Sequence, residues 1–209
     1  MKKIITIVLL MFIFSSANCF AYKNEPNEFR GVSWGTDISN NKEFYLSDTD
    51  ELGHRIEYSG NSPKSKVYKR NNEKLFIGKA KIDDIFYYAY KNHLYYIRIN
   101  YTGPKNYELL RDTLNDIHGS PSMRDDKGTT RWREWHGNKV NITLSYAHVV
   151  FGGVVVQSSG FIDYTYLPTD NVLSRDLSIY YDAEDKRKKK EEAIKRKKQS
   201  EAGKTDLYQ

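Results

Sequence analysis

The sequence predicts an α+β fold: a mainly antiparallel sheet with one or two packed helices and a long charged helix at the C-terminus. Three observations carry that expectation. Short runs rich in Tyr, Ile and Val recur between turn residues through the body of the chain. One segment, Pro104 to His118, repeats its apolar residues at helical spacing. After Asp182 the chain is almost all charge, with Ile194 nearly alone as an apolar side chain.

The first residues, MKKIITIVLLMFIFSSANCFA, have the three parts of a secretory signal peptide. Lys2 and Lys3 form the positive start, Ile4 to Phe14 the apolar run, and Ala21 the expected cleavage point. The run is shorter than the ~20 apolar residues a membrane span needs. Two other fates of the segment stay open: retention as an anchor, or lipid attachment at Cys19, although Asn18 makes a poor lipoprotein site. Cys19 is the only cysteine, so a chain cut after Ala21 has no disulfide to lean on. The expected organisation is residues 1–21 as signal, 22–181 as a single α+β domain long enough to bury a core, and 182–209 as a charged tail, helical or disordered.

Within the body, Phe29 to Trp34 reads as a short strand with Val32 and Trp34 inward. Thr36 or Asp37 is placed to cap a short helix. Arg55 to Tyr58 reads as a strand, and residues 60–63 as a turn. Val67 to Arg70 and Leu75 to Gly78 read as a hairpin about Asn71-Asn72. Ile85 to Lys91 and Leu94 to Tyr101 form the clearest hairpin, turning at Asn92. A regular two-residue loop puts Phe86, Tyr88, Tyr90, Tyr95, Ile97, Ile99 and Tyr101 on a core face. It puts Tyr87, Ala89, Leu94, Tyr96 and Arg98 on the other. Pro104 suits a first helical turn, and Gly119 and Pro121 end the helix. A helix followed by a hairpin is therefore expected twice, after Thr36 and after Pro104, as in a duplicated unit.

Thr130 to His136 turns at Gly137-Asn138 into Lys139 to Tyr146. Val149 to Gln157 and Phe161 to Leu167 read as two further strands around Ser158-Ser159-Gly160, with Gly152-Gly153 as a turn. Trp132 and Trp135 have opposite parity. A regular strand turns Trp135 inward and Trp132 outward, and a bulge would exchange them. The tail reads as one helix from Asp170, docked by Val172, Leu173, Leu177 and Tyr180. Glu191–Lys195, Glu192–Arg196, Asp182–Lys186 and Asp185–Lys189 are spaced as helical acid-then-base pairs.

The chain carries a net +6. Two of those charges leave with Lys2 and Lys3 and three sit in the tail, so the body is near neutral. That argues against a nucleic-acid surface. The basic tail residues Lys188, Lys189, Lys190, Lys195 and Arg196 are candidates for contact with an anionic envelope surface.

No motif points to chemistry. The five histidines lack metal-ligand spacing, and neither a nucleophile elbow nor a phosphate loop is present. Neither a cofactor nor a metal is expected, and neither is catalysis. Asp83-Asp84 and Asp125-Asp126 are explained by turn chemistry. The unusual feature is aromatic: seventeen tyrosines and three tryptophans. Tyr87, Tyr96, Arg98, Arg131, Trp132 and Arg133 are therefore the candidate binding residues, with Trp132 between two arginines as a stacking surface.

Phe29-Arg30-Gly31 with Trp34-Gly35-Thr36, the FYYAYKNHLYYIRI hairpin and the helix ending in His118-Gly119-Ser120-Pro121 resemble a group of small exported bacterial proteins over about residues 28–160. That group has no established activity to carry over. The helix-Gly-x-Pro element is also loosely similar to outer-membrane assembly lipoproteins of the SmpA/OmlA kind, from which this chain departs in its lipidation site and larger sheet. The expectation is a non-enzymatic envelope protein that contacts another protein or a surface. The alternative is a small-ligand module with Tyr87, Tyr96, Arg98 and Trp132 lining a groove.

Overall fold

The computed structural model describes residues 21–56 and 63–206, with side chains as far as residue 197. Residues 1–20 of the expected signal segment, the second half of the 55–58 strand and most of the 60–63 turn lie outside the described residues. The fold is α+β, as the sequence predicts. Eight strands make one antiparallel sheet: β3 (Phe44–Leu46), β4 (Lys66–Arg70), β7 (Asp84–Tyr90), β8 (His93–Thr102), β12 (Val154–Tyr166), β11 (Val140–Phe151), β10 (Thr130–Trp135) and β9 (Met123–Asp125), in that spatial order. Two small hairpins stand apart, β1 (Glu28–Phe29) with β2 (Val32–Ser33) and β5 (Phe76–Ile77) with β6 (Ala80–Lys81). The helices are α1 (Pro104–His118) and α2 (Leu167–Asp206).

One face of the sheet is the main core. Ile85, Tyr87 and Ala89 of β7 meet Leu94, Ile97, Ile99 and Tyr101 of β8. Ile142, Leu144, Ile162 and Tyr164 extend the layer. The helix α1 covers it with Tyr107, Leu110 and Leu114, three members of the apolar stripe its spacing foretells; the fourth, Ile117, is exposed, and His118 is buried in the last turn instead. The segment before β3 covers the rest with Phe29, Val32, Trp34 and Ile38. Trp34 is buried as expected, donates through Nε1 to Pro26 O at 3.0 Å and stacks on Tyr166.

Several expectations change. No helix follows Thr36; Asp37 instead accepts from Ser39 N at 2.8 Å, closing a turn, and its mate Thr36 accepts from Leu94 N. With that helix gone, the suggested duplication has only one helix-hairpin unit. Phe29 to Trp34 is a two-stranded ribbon rather than one strand, because Arg30 and Gly31 both take positive φ, 50° and 82°. The strand β4 pairs with β3 and β7 and not with Phe76-Ile77, which folds back on β6.

The largest correction concerns β7. Tyr88 pairs with Tyr96 and Ala89 with Leu94, so Tyr95 is an extra, unopposed residue. That bulge shifts the phase between the strands. Tyr87 moves into the core, and Phe86, Tyr88 and Tyr90 move to the opposite face. Tyr95 leaves the main core and packs with Tyr90 and Leu173. Further along, the supposed break at Ser158-Ser159-Gly160 is continuous strand, and the hairpin turn is Gly152-Gly153, with φ of 57° and 82°. The strands are therefore longer than the sequence suggests.

Gly160 explains why a glycine interrupts the apolar pattern there. A Cβ at that position would lie 2.3 Å from Ser145 O and 2.3 Å from the Tyr101 hydroxyl oxygen. The Tyr101 hydroxyl crosses the glycine to donate to Ser145 O at 2.6 Å. Gly160→Ala should cost about 3 kcal/mol, the upper end of overpacking penalties, read as a lower midpoint in urea denaturation.

The start of α2 docks on the second face through Leu173, with Val172 and Leu177 alongside. Asp176 accepts from Lys91 Nζ at 2.8 Å and from the Tyr90 hydroxyl at 2.7 Å. The Lys91 and Tyr90 hydrogen bonds hold the Asp176 carboxyl below its usual range. Burial and the bond to Asp176 push Tyr90 up to about 12. A depressed carboxyl stabilises the docked state above its unfolded pKa and loses that effect as pH falls through the folded one. Acidification below about pH 4 should therefore speed amide exchange in residues 170–180 before it does so in β8 and β11. Asp176→Asn should show the fast exchange already at neutral pH.

Candidate interaction surface

The sequence-predicted binding residues do not form one site. Tyr87 is fully buried in the core, with its ring against Phe44 and its hydroxyl donating to Glu73. Tyr96 and Arg98 lie on the opposite face. Arg131 and Arg133 project to the α1 side, because Arg133 opposes Leu144 and Arg131 opposes Tyr146. Arg133 is buried and donates to Asp126 and, at 3.3 Å, to the Tyr107 hydroxyl; Arg131 pairs with Glu108. Trp132 faces away from both arginines and is half-buried, so the expected arginine-flanked stacking platform does not exist. Trp135 is inward, as regular parity requires, and donates to Gly119 O at 2.8 Å. The tail residues Lys188, Lys189, Lys190, Lys195 and Arg196 are exposed on α2, where Lys189 pairs with Asp185 at 2.6 Å.

A polar cluster occupies the second face. Asp50 accepts from Leu52 N and His54 N, which folds the turn that presents Glu51. Arg98 donates twice to Asp163, at 2.8 and 2.7 Å, and once to Glu51, at 2.9 Å. Its guanidinium stacks 4.3 Å from the Phe161 ring centre. Tyr88 donates to Glu51 and sits edge-on to Tyr96. The Asp163 bonds raise Arg98 above its ordinary value, and burial raises Tyr88 and Tyr96. A cavity of about 360 Å³ lies beside this cluster, walled by Asp170 of α2. All three guanidinium nitrogens of Arg98 are engaged, so the cluster is a strut between the 47–56 loop, β8 and β12 rather than a vacant anion hook.

The cleft of about 800 Å³ at the Arg70 end of β4 is similar in kind. Arg70 is held by Glu43, and Arg30 by Glu73 and the carbonyls of Lys74 and Phe76. Among the described residues, no group of His, Cys, Asp and Glu could hold a metal ion. Likewise no helix is long and apolar enough to cross a membrane.

The feature that the sequence reading missed is the end of the β11–β12 hairpin. Its neighbour β8 stops at Thr102 opposite Ser159, and β10 starts at Thr130 opposite Ala147. Beyond those points β11 and β12 run on alone. Val149, Val150, Phe151, Val154, Val155 and Val156 are all exposed there, Phe151 at 80%. The opposed pairs Val150–Val155 and Phe151–Val154 alternate in face, so both faces of the ribbon are apolar. From Val140 to Ile162 there is no Asp, Glu, Lys or Arg. The signal was present: Gly-Gly between two unbroken apolar runs is a two-residue hairpin loop, and the absence of alternation marks strands that bury both faces or neither. No protein-family model, curated protein or solved structure matches the chain.

Arg98→Ala should leave Glu51 and Asp163 facing one another. The expected loss is about 2–3 kcal/mol, below the cost for a fully buried pair because both carboxylates keep some exposure. Chemical denaturation measures it. Arg98→Lys should recover less than half, since an ammonium cannot bind Asp163 in two-pronged fashion.

Proposed function

We propose that this protein is a non-catalytic interaction module of the cell envelope, and that the apolar β11–β12 arm is its principal contact. The observation that carries the reading is the arm itself: six large apolar side chains in water at the end of a well-packed sheet. Exposed apolar area on the order of several hundred Å² marks a recognition surface. The polar clusters support the same reading from the other side, because their charged groups are spent on one another. The basic stretch of α2 supplies a second, electrostatic contact toward an anionic surface, with each cation near such a surface contributing about 1 kcal/mol. The sequence of residues 1–21 supports export.

The test is affinity capture from the native envelope with three forms of the protein: unaltered, lacking residues 182–209, and carrying Phe151→Asp with Val155→Lys. A captured partner should survive loss of the tail and disappear with the arm variant. Capture that survives the arm variant and needs the tail would move the function to α2.

A further inference from the structure

Resting on that reading, we infer that the partner seated on the arm is the same arm of a second copy of this chain. Each arm is a two-stranded ribbon whose outer edges carry a last neighbour bond at Ser158 (O, from Gly103 N) and His148 (N, to Thr129 O) and are left open beyond them. Such edges are ordinarily blunted by charge, proline or cover. Here neither charge nor proline blunts them, since Val149 to Gln157 holds neither; the one irregularity is a single-residue bulge at Val156, after which Val150–Val155 and Phe151–Val154 pair regularly. An uncharged valine-rich strand is complementary to itself, and antiparallel pairing about a two-fold axis lets each copy complete the other's edge.

Area agrees. The six exposed side chains present on the order of 500 Å² per copy, so a contact between two arms removes at most on the order of 1,000 Å² from water, the size of a weak, reversible interface. Apolar groups on both faces also let two ribbons join edge to edge without stranding a charged side chain on either face.

A bilayer is the competing occupant, and two features speak against it. Open strand edges do not occur within hydrocarbon, because unpaired backbone groups are costly there. The residues around the arm's root also mix signs, with Asp83, Lys105, Asp126 and Lys127 near β8, α1 and β10, and so form no cationic collar for anionic lipid.

The experiment is sedimentation velocity of the protein in its natively processed form over a concentration series. It is repeated with Phe151→Asp plus Val155→Lys. Both residues are exposed, so the variant should keep the circular dichroism and melting temperature of the parent. The expected result is a reversible dimer for the parent and at least tenfold weaker association for the variant. Amide exchange at residues 149–156 should slow as parent concentration rises. A parent that stays monomeric at its highest soluble concentration overturns the inference, as does a dimer that the variant leaves intact. If the parent is monomeric while envelope capture still depends on the arm, only this inference fails. If the dimer forms through the arm while capture does not need it, the interaction with another protein fails instead.

Discussion

The structure depends on how far the neighbours of β11 and β12 reach. These two strands form the longest ladder in the sheet, and β12 joins the β3–β8 half to the β9–β11 half. While β8 and β10 flank them, their alternation sorts apolar side chains to the α1 face and polar ones to the other. Where the flanks end, the hydrogen-bonded ladder continues but the sorting does not. The same backbone pairing thus builds the core at one end and an unsheltered ribbon at the other.

The core itself is set by one inserted residue. Tyr95 has no opposite number on β7, and that decides which tyrosines of the FYYAYK run are buried. Tyr87 is enclosed and must give its hydroxyl to Glu73. Tyr88 is shared between Glu51 and Tyr96 on the second face. A hydroxyl needs a partner wherever it is buried, so the abundance of tyrosine and the abundance of carboxylates that reach them are one design.

The sequence showed some of this directly. The helix α1 was legible to the residue because Pro104, the apolar stripe and Gly119 are local signals. The inward Trp135 followed from parity because β10 and β11 pair without interruption. The bulge at Tyr95 was not legible, since an extra residue within an unbroken run of tyrosines leaves no mark on composition or turn chemistry. Ser158-Ser159-Gly160 looked like a break and is strand, because the reason for Gly160 lies across the sheet at Tyr101 and Ser145. The candidate site suffered most. Tyr87 and Tyr96 were grouped by the face a regular hairpin gives them, and the bulge at Tyr95 separated them; Trp132 was grouped with its flanking arginines by closeness along the chain, and the pleat separated those.

The length of α2 has a consequence for ionic strength. At about 1.5 Å per residue, the turns from Asp182 to Asp206 extend on the order of 35 Å along the helix past the docked Leu173 and Asp176. That is several times the screening distance of about 8 Å in physiological salt. The charges from about residue 188 to 197 therefore feel one another and almost nothing of the sheet. Added salt would loosen their i to i+4 pairing while leaving the folded body nearly indifferent, so the protein's stability and its tail's electrostatics can vary independently.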